Sequence, residues 1–432
     1  MPLDGDGRFI PIEQLQGLLE QYGVAGVSVA VLGVDGIATQ TGGLSCKQES
    51  RTSSSVRRMD DVAMYDSTWL QIASLSKTLG TAYAVEYFKK KGIGMDSAVN
   101  PLLRAAGSGF TLRSAPGKPG EWAEQVTLAQ LVNHSGLGMH YVNGVPMSEP
   151  MPPMVALMSG SEAAPAPYGY ACLDLIKEPG TKFGYSGGGF LVLQHLLEAR
   201  EGRPIAELMD TFLSAAGTTA FLGISFNTRK VAGKQYAEGF GDDGEHIAPL
   251  QFPPLAAGAS GNPAALLDFL RQLAVAYRRP EGCGPIAHDT AVAMLTPGPD
   301  LGSEAFMRAR VGLGVFIFEA KAPGAAKASK WMLHQASNNG FRGIYLVCFD
   351  GPDAEDGPRG FVVLSNGDNN AMLLNCAVVR LLLQSTAAFQ PPLTGLDWSR
   401  APPMDTFNMD GMKQEDIVNL GYQELVLNAF LR

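Results

Sequence analysis

Strand-forming sequence is concentrated at the two ends of this chain, and that placement constrains the fold more than any single motif does. Near the start, Ile12, Leu15, Leu18 and Leu19 recur at helical spacing over residues 11–22, and Gly23 ends the helix. Residues 26–33, Gly-Val-Ser-Val-Ala-Val-Leu-Gly, read as a buried strand, and the turn Val34-Asp-Gly36 leads into a second strand at 37–42. Near the end, Val311–Glu319, Lys330–Ala336, Phe341–Asp350 and Gly360–Ser365 read as four strands, with alternation clearest in Ile344-Tyr-Leu-Val-Cys-Phe. A helix follows at 370–386. Short links between most of these strands favour antiparallel pairing. The middle is mainly helical, with helices expected at 71–92, Leu128–His134, 189–200, 204–214 and 263–277. Between them, 46–66, 104–125, 141–167 and 217–262 read as loop or irregular.

Two ends that build one sheet around a helical insertion give an α+β architecture: an antiparallel sheet flanked by the N- and C-terminal helices, with a mainly helical inserted subdomain. The expected division is a sheet subdomain from 10–70 and 305–388, a helical subdomain from 71–304, and a C-terminal extension at 389–432 with a short helix near 414–430. The length of 432 residues fits such a composite, since it exceeds what one small core holds.

Composition narrows the function classes. Hydrophobic content of 46% and charged content of 17% describe a globular chain. The net charge is -9, and the longest basic run is Lys89-Lys-Lys91, which argues against nucleic acid or anionic membranes as partners. The N-terminus carries no basic region followed by an apolar core, and apolar runs such as Val24–Val34 are too short to span a bilayer. Five scattered cysteines (46, 172, 283, 348, 376) form no CxxC pair, so the expectation is reduced thiols in a cytoplasmic protein. The six histidines (134, 140, 195, 246, 288, 334) show no HExxH spacing, and no dinucleotide or P-loop pattern is present, so neither a metal nor a cofactor is expected. Oligomeric state does not follow from the sequence.

Three stretches carry chemistry. The first is the helix at 71–92, with Ser74 and Lys77 at its start. A spacing of three places both side chains on one face of the opening turns. A serine hydroxyl needs an adjacent base, and Lys77 can serve only as a neutral amine. Its place at the positive end of the helix dipole, together with burial, would lower its pKa. The plain alternative is a surface serine and lysine on an ordinary helix. The second stretch, Glu178-Pro-Gly-Thr-Lys-Phe-Gly-Tyr185-Ser-Gly-Gly-Gly-Phe190, sets a tyrosine on a rigid turn before a helix, where it could relay a proton from Ser74. Its glycines let backbone or substrate come close. It also contains a rival, Gly184-Tyr-Ser186-Gly-Gly188, which fits G-x-S-x-G but lacks a clear preceding strand and repeated βα units. The third, His334-Gln-Ala336-Ser337-Asn-Asn-Gly340-Phe-Arg342, ends one strand and turns into the next, so a free edge N–H there could donate to an oxyanion. A satisfied strand histidine is the plain alternative for His334.

In this order the three stretches resemble the serine β-lactamase and penicillin-binding-protein family, in particular the class C-like esterases and D-alanyl-D-alanine carboxypeptidase relatives. In that family S-x-x-K, Y-x-N and K-T-G or H-x-G line one cleft. The resemblance extends to Val126–Leu137, Pro254–Gly261 and Gly312–Val315 and spans about residues 10–388. It implies Ser74 as acylated nucleophile, Lys77 as its base partner, Tyr185 as proton shuttle, and the N–H groups of Ser74 and Ser337 as oxyanion hole. Two positions depart from the pattern. Gly187 stands where Y-x-N has asparagine, and Ala336 stands where H-x-G has glycine, so a Cβ is expected to bend the edge strand and narrow the acyl pocket. His334 in place of lysine supplies less positive charge for a substrate carboxylate. These departures point to a serine hydrolase acting on a small-molecule carboxylic ester or modest amide rather than a penicillin. Acyl transfer to an alcohol or amine, D-amino-acid peptidase or amidase action, and a catalytically inactive binding protein stand as alternatives on the same fold.

Overall fold

The computed structural model describes residues 8–47, 61–161, 164–214, 223–227, 233–281, 284, 286–304, 309–321, 325–384 and 388–389. Of the expected extension at 389–432, residues 390–432, including the helix expected near 414–430, lie outside the described residues, as does Cys283. The large sheet has eight strands: β1 (Gly26–Gly33), β2 (Gly36–Cys46), β3 (Val62–Ala63), β4 (Arg310–Val311), β5 (Phe316–Ala320), β6 (Ser329–Asn338), β7 (Phe341–Asp350) and β8 (Arg359–Ser365). Their spatial order is β3-β2-β1-β8-β7-β6-β5-β4, and every pairing is antiparallel. The N-terminal hairpin thus joins the C-terminal meander through β1 and β8, where Val27 faces Ser365 and Leu32 faces Gly360.

Both faces of this sheet are covered, which is why β1 and β8 are buried at every residue instead of alternating with solvent. On one face lie α1 (Ile12–Tyr22) and the C-terminal helix, packed on a core that includes Leu15, Val29, Leu346 and Val363. The other face packs against α4 (Pro263–Arg278) and the helical middle of the chain. Within that middle, α2 (Ser76–Lys90) is buried from Ser76 through Phe88. The helix runs through the core and buries its small and polar residues along with its apolar ones, Thr78 and Gly80 among them.

Two differences from the sequence reading bear on the site. The expected strand Val311–Glu319 is cut in two, because Gly314 adopts φ 68° and its N–H bonds to the Val132 carbonyl in the helical half. The helix expected from residue 71 starts at Ser76. Leu70–Gln71 pairs as a short strand with Ser260–Gly261, and Ala73–Leu75 forms a separate 3₁₀ turn. Ala73 sits at φ 45°, where a Cβ is strained, so the chain changes direction immediately before Ser74. Of the described cysteines, 46, 172, 348 and 376 are free thiols. No helix among the described residues is long and apolar enough to cross a membrane.

Candidate active site

Ser74 stands at the centre of the 3₁₀ turn at the start of α2. The second residue of such a turn has no acceptor for its N–H within the turn, so that N–H remains available. One turn on, Lys77 projects back, and its Nζ lies 3.0 Å from Ser74 Oγ and donates to the Ala256 carbonyl at 2.6 Å. Lys77 is 1% exposed. Burial takes its ammonium out of water and lowers its pKa to about 7. In the neutral form one N–H serves Ala256 and the lone pair faces Ser74 Oγ, the geometry a base needs.

Tyr185 closes the other side. Its hydroxyl shares a hydrogen bond with Ser74, and its ring centroid is 5.1 Å from Lys77 Nζ. Burial pushes its pKa above the usual tyrosine value while the bond to Ser74 pulls the other way, so Tyr185 keeps its proton at neutral pH. The turn that presents it is held from behind by His134. The ring of His134 lies tilted against Tyr185 with centroids 4.5 Å apart, its Nδ1 accepts the Ser186 N–H at 3.0 Å, and its carbonyl accepts the Gly184 N–H at 2.8 Å. Burial and then the nearby Lys77 hold His134 well below the ordinary histidine pKa, so it is neutral. Its φ of 62° is the local signal that could have drawn attention to it, and a sequence does not display φ.

The third wall is the end of β6. Strand β5 pairs with β6 only as far as Leu333, so 334–338 present an edge without a strand partner among the described residues, and this edge packs on the Ser74 turn. Asn338 and Phe341 close a two-residue hairpin over Asn339-Gly340 and exchange hydrogen bonds. Antiparallel alternation then turns the N–H of Ser337, paired with Arg342, outward to the free edge. Among the described residues, therefore, neither the Ser74 nor the Ser337 N–H has a backbone acceptor.

The remaining expected residues lie along or behind these walls without the roles expected of them. Ala336 is buried in the core beneath the strand, and the β6–β7 register runs unbroken from Trp331 to Asn338, so its Cβ does not bend the edge. The only shift is between Lys330 and Trp331. His334 is buried, its Nδ1 donates to the Gln335 carbonyl at 2.8 Å, and burial followed by Lys77 lowers its pKa to about 3. It contributes a neutral wall, with no positive charge at pH 7. Gly187 opens α3 (Gly187–Glu201), and its N–H bonds to the His140 carbonyl at 2.6 Å. A Cβ there would lie 2.7 Å from Val142 Cγ1, so Val142 occupies the space a longer side chain would need. Ser186 is the N-cap of α3: its Oγ accepts the Gly189 N–H at 3.1 Å and lies 3.2 Å from His140 Nδ1. At φ -133° it lacks the sharp strand-to-helix turn of a nucleophile elbow, which removes the rival serine.

Sequence reading gave no role to the turn that ties these walls together. Pro254–Gly258 forms one wide π-helical turn, a geometry that recurs at functional sites. Its Leu255 N–H bonds to Gln194 Oε1 on the helix after Tyr185, its Ala256 carbonyl holds Lys77, and its Ala257 carbonyl accepts from Asn338 Nδ2. The next residue, Ala259, accepts the Ile72 N–H and donates to Ser76 Oγ. Among the described residues no cluster of three histidine, cysteine or carboxylate side chains could hold a metal ion.

A model of the Beta-lactamase family matches residues 12–383. No curated protein matches the sequence. Solved structures do match in fold. An octameric penicillin-binding protein homologue from Pyrococcus abyssi has 17% identity and a TM-score of 0.61, with 88% of this chain and 78% of that chain covered. A D-alanine carboxypeptidase from Burkholderia cenocepacia has 18% identity and a TM-score of 0.57, with 82% and 92% covered. A D-amino acid amidase from Ochrobactrum anthropi SV3 has 18% identity and a TM-score of 0.56, with 86% and 96% covered.

Proposed function

The chain belongs to the beta-lactamase family, and from that premise we propose that it is a serine hydrolase that forms an acyl-enzyme on Ser74 and acts on neutral carboxylic esters. The observation that carries this reading is the Lys77 amine 3.0 Å from Ser74 Oγ, buried and with its other contact a carbonyl. Neutral Lys77 takes the Ser74 proton as Oγ attacks the acyl carbon. The oxyanion forms against the N–H groups of Ser74 and Ser337. As the tetrahedral intermediate collapses, Tyr185 gives its proton to the leaving alkoxide and recovers one from the Lys77 ammonium, its near neighbour. Water then repeats the sequence on the acyl-enzyme, with Lys77 again as base, and releases the carboxylic acid.

Two features support an ester over a β-lactam. Val142 fills the space where an amide-binding asparagine at 187 would sit, and His334 is neutral, so it offers no counter-charge to a substrate carboxylate. Amides of D-amino acids are the second reading, motivated by the D-amino acid amidase and D-alanine carboxypeptidase among its structural neighbours.

The test is intact mass after brief incubation with short p-nitrophenyl esters and D-amino acid amides, with Ser74→Ala as control. The expected result is a transient acyl adduct on the wild type, absent in Ser74→Ala, with esters turned over faster than amides. Full activity in Ser74→Ala would sink the assignment, and faster turnover of the amides would move the substrate to the second reading.

A further inference from the structure

A turn ties the three walls of this site together, and one side chain outside the expected set belongs to one wall and bonds both to a second wall and to that turn. Asn338 is the last residue of β6, directly after Ser337, and it is buried. Its Nδ2 donates to Gln71 Oε1 at 2.8 Å and to the Ala257 carbonyl at 3.0 Å. Gln71 lies three residues before Ser74 and is itself anchored, its Nε2 donating to the Leu250 carbonyl at 2.9 Å. Ala257 follows Ala256, whose carbonyl holds Lys77. The Asn338 carbonyl in turn accepts from Arg342 Nη1, a buried guanidinium that also pairs with Asp368. One primary amide therefore joins the strand of the Ser337 N–H to the segment of Ser74 and to the turn that positions Lys77.

We propose that Asn338 is a positioning residue of this site: its amide sets the spacing between the Ser337 and Ser74 N–H groups and holds the turn that orients Lys77. This deepens the reading of Ser74 as an acylated nucleophile and rests on it. An oxyanion hole works only when both donors stand at hydrogen-bond distance from the developing charge. Among the described residues the edge of β6 has no neighbouring strand at 334–338, so sheet pairing does not set that distance from this side. Asn338 does so with two donors. Aspartate at this position would be nearly isosteric but could donate to neither Gln71 Oε1 nor the Ala257 carbonyl.

The experiment compares wild type, Asn338→Ala, Asn338→Asp and Gln71→Leu on a short p-nitrophenyl ester, with a boronic acid as oxyanion analogue and a fluorophosphonate to count competent sites. Asn338→Ala is expected to lower kcat per titrated site by about 10²-fold, with KM changed less than about threefold, as for a displacement of roughly an ångström. The boronate Ki should rise in step with the kcat loss. Asn338→Asp should show the same loss despite its shape. Gln71→Leu should lose less, and adding it to Asn338→Ala should have little further effect on kcat, because both remove the same Asn338–Gln71 bond. Retention of kcat within about twofold in Asn338→Ala, or full additivity of the two substitutions, would overturn the proposal. If Asn338→Ala does not fold, Asn338→Asp and Gln71→Leu decide it by the same criteria. A parallel Ser74→Ala control separates the two levels: an active Ser74→Ala ends the nucleophile reading, whereas an inactive one beside a normal Asn338→Ala ends only this inference.

Discussion

At the scale of single residues, the proposed chemistry depends on Lys77 being a base and Tyr185 an acid at the same pH. Both are buried, and burial moves them in opposite senses because it disfavours whichever form is charged. The ammonium of Lys77 is charged when protonated, so its pKa falls to about 7. The phenolate of Tyr185 is charged when deprotonated, so its pKa rises. The expected pH–rate profile follows. For the free enzyme, kcat/KM should rise about tenfold per pH unit up to about 7 and then level off, as Lys77 loses its proton. No alkaline fall from Tyr185 is expected up to about pH 10, its ordinary value. A profile flat from pH 5 to 8, measured with an ester whose spontaneous hydrolysis is subtracted, would rule out Lys77 as the base.

At the scale of elements, the start of α3 decides what the cleft can accept. Three glycines open this helix, and each approaches another segment too closely for a side chain. A Cβ at Gly187 would be 2.7 Å from Val142 Cγ1, at Gly188 2.5 Å from Leu173 Cδ2, and at Gly189 2.4 Å from the Leu131 carbonyl oxygen. The glycines make room for protein, where the sequence had allowed for substrate as well. Restoring the family asparagine by Gly187→Asn is therefore expected to destabilise by about 1–3 kcal/mol through overpacking and to bring no gain in β-lactam hydrolysis. Thermal unfolding and a nitrocefin assay check both parts. Adding Val142→Ala should recover much of the lost stability by opening the blocked space, and failure to recover any would show that Val142 is not the obstacle.

At the scale of the whole molecule, the site is assembled at the expense of stability. Folded Lys77 holds its proton with a pKa near 7, against 10.5 for the unfolded chain, so unfolding takes up protons between those values. Stability from this group therefore rises with pH from about 7 to 10.5. Its destabilising effect is greatest, and constant, below 7. Lys77→Met removes that effect. The variant should be inactive yet melt higher than wild type at neutral pH, by an amount on the order of a few kcal/mol, with the gap closing as pH approaches 10.5. His334, at about 3 in the fold against an ordinary 6.5, adds a second rise of stability with pH between those values. A Lys77→Met variant less stable than wild type at pH 7 would mean that the amine is not desolvated in solution.

What the sequence determined by itself was whatever repeats along the chain or lies close within it. Strand-forming runs at both ends, most of the later ones joined by short links, specified an antiparallel sheet closed around a helical insertion, because short links leave no room for a parallel crossover. The spacing of Ser74 and Lys77 specified their contact, because three residues make one helical turn. Tertiary structure alone decided what depends on segments far apart in sequence. It placed Ser74 on a 3₁₀ turn ahead of the helix, through the pairing of Leu70–Gln71 with Ser260–Gly261. It closed Gly187 with Val142, neutralised His334 by burying it, set His134 behind Tyr185, and made Pro254–Gly258 and Asn338 the joint between the walls. Hydrogen-bond partners and desolvation are properties of neighbours in space. A chain read in order displays which residues could hold such roles, and only the packed molecule assigns them.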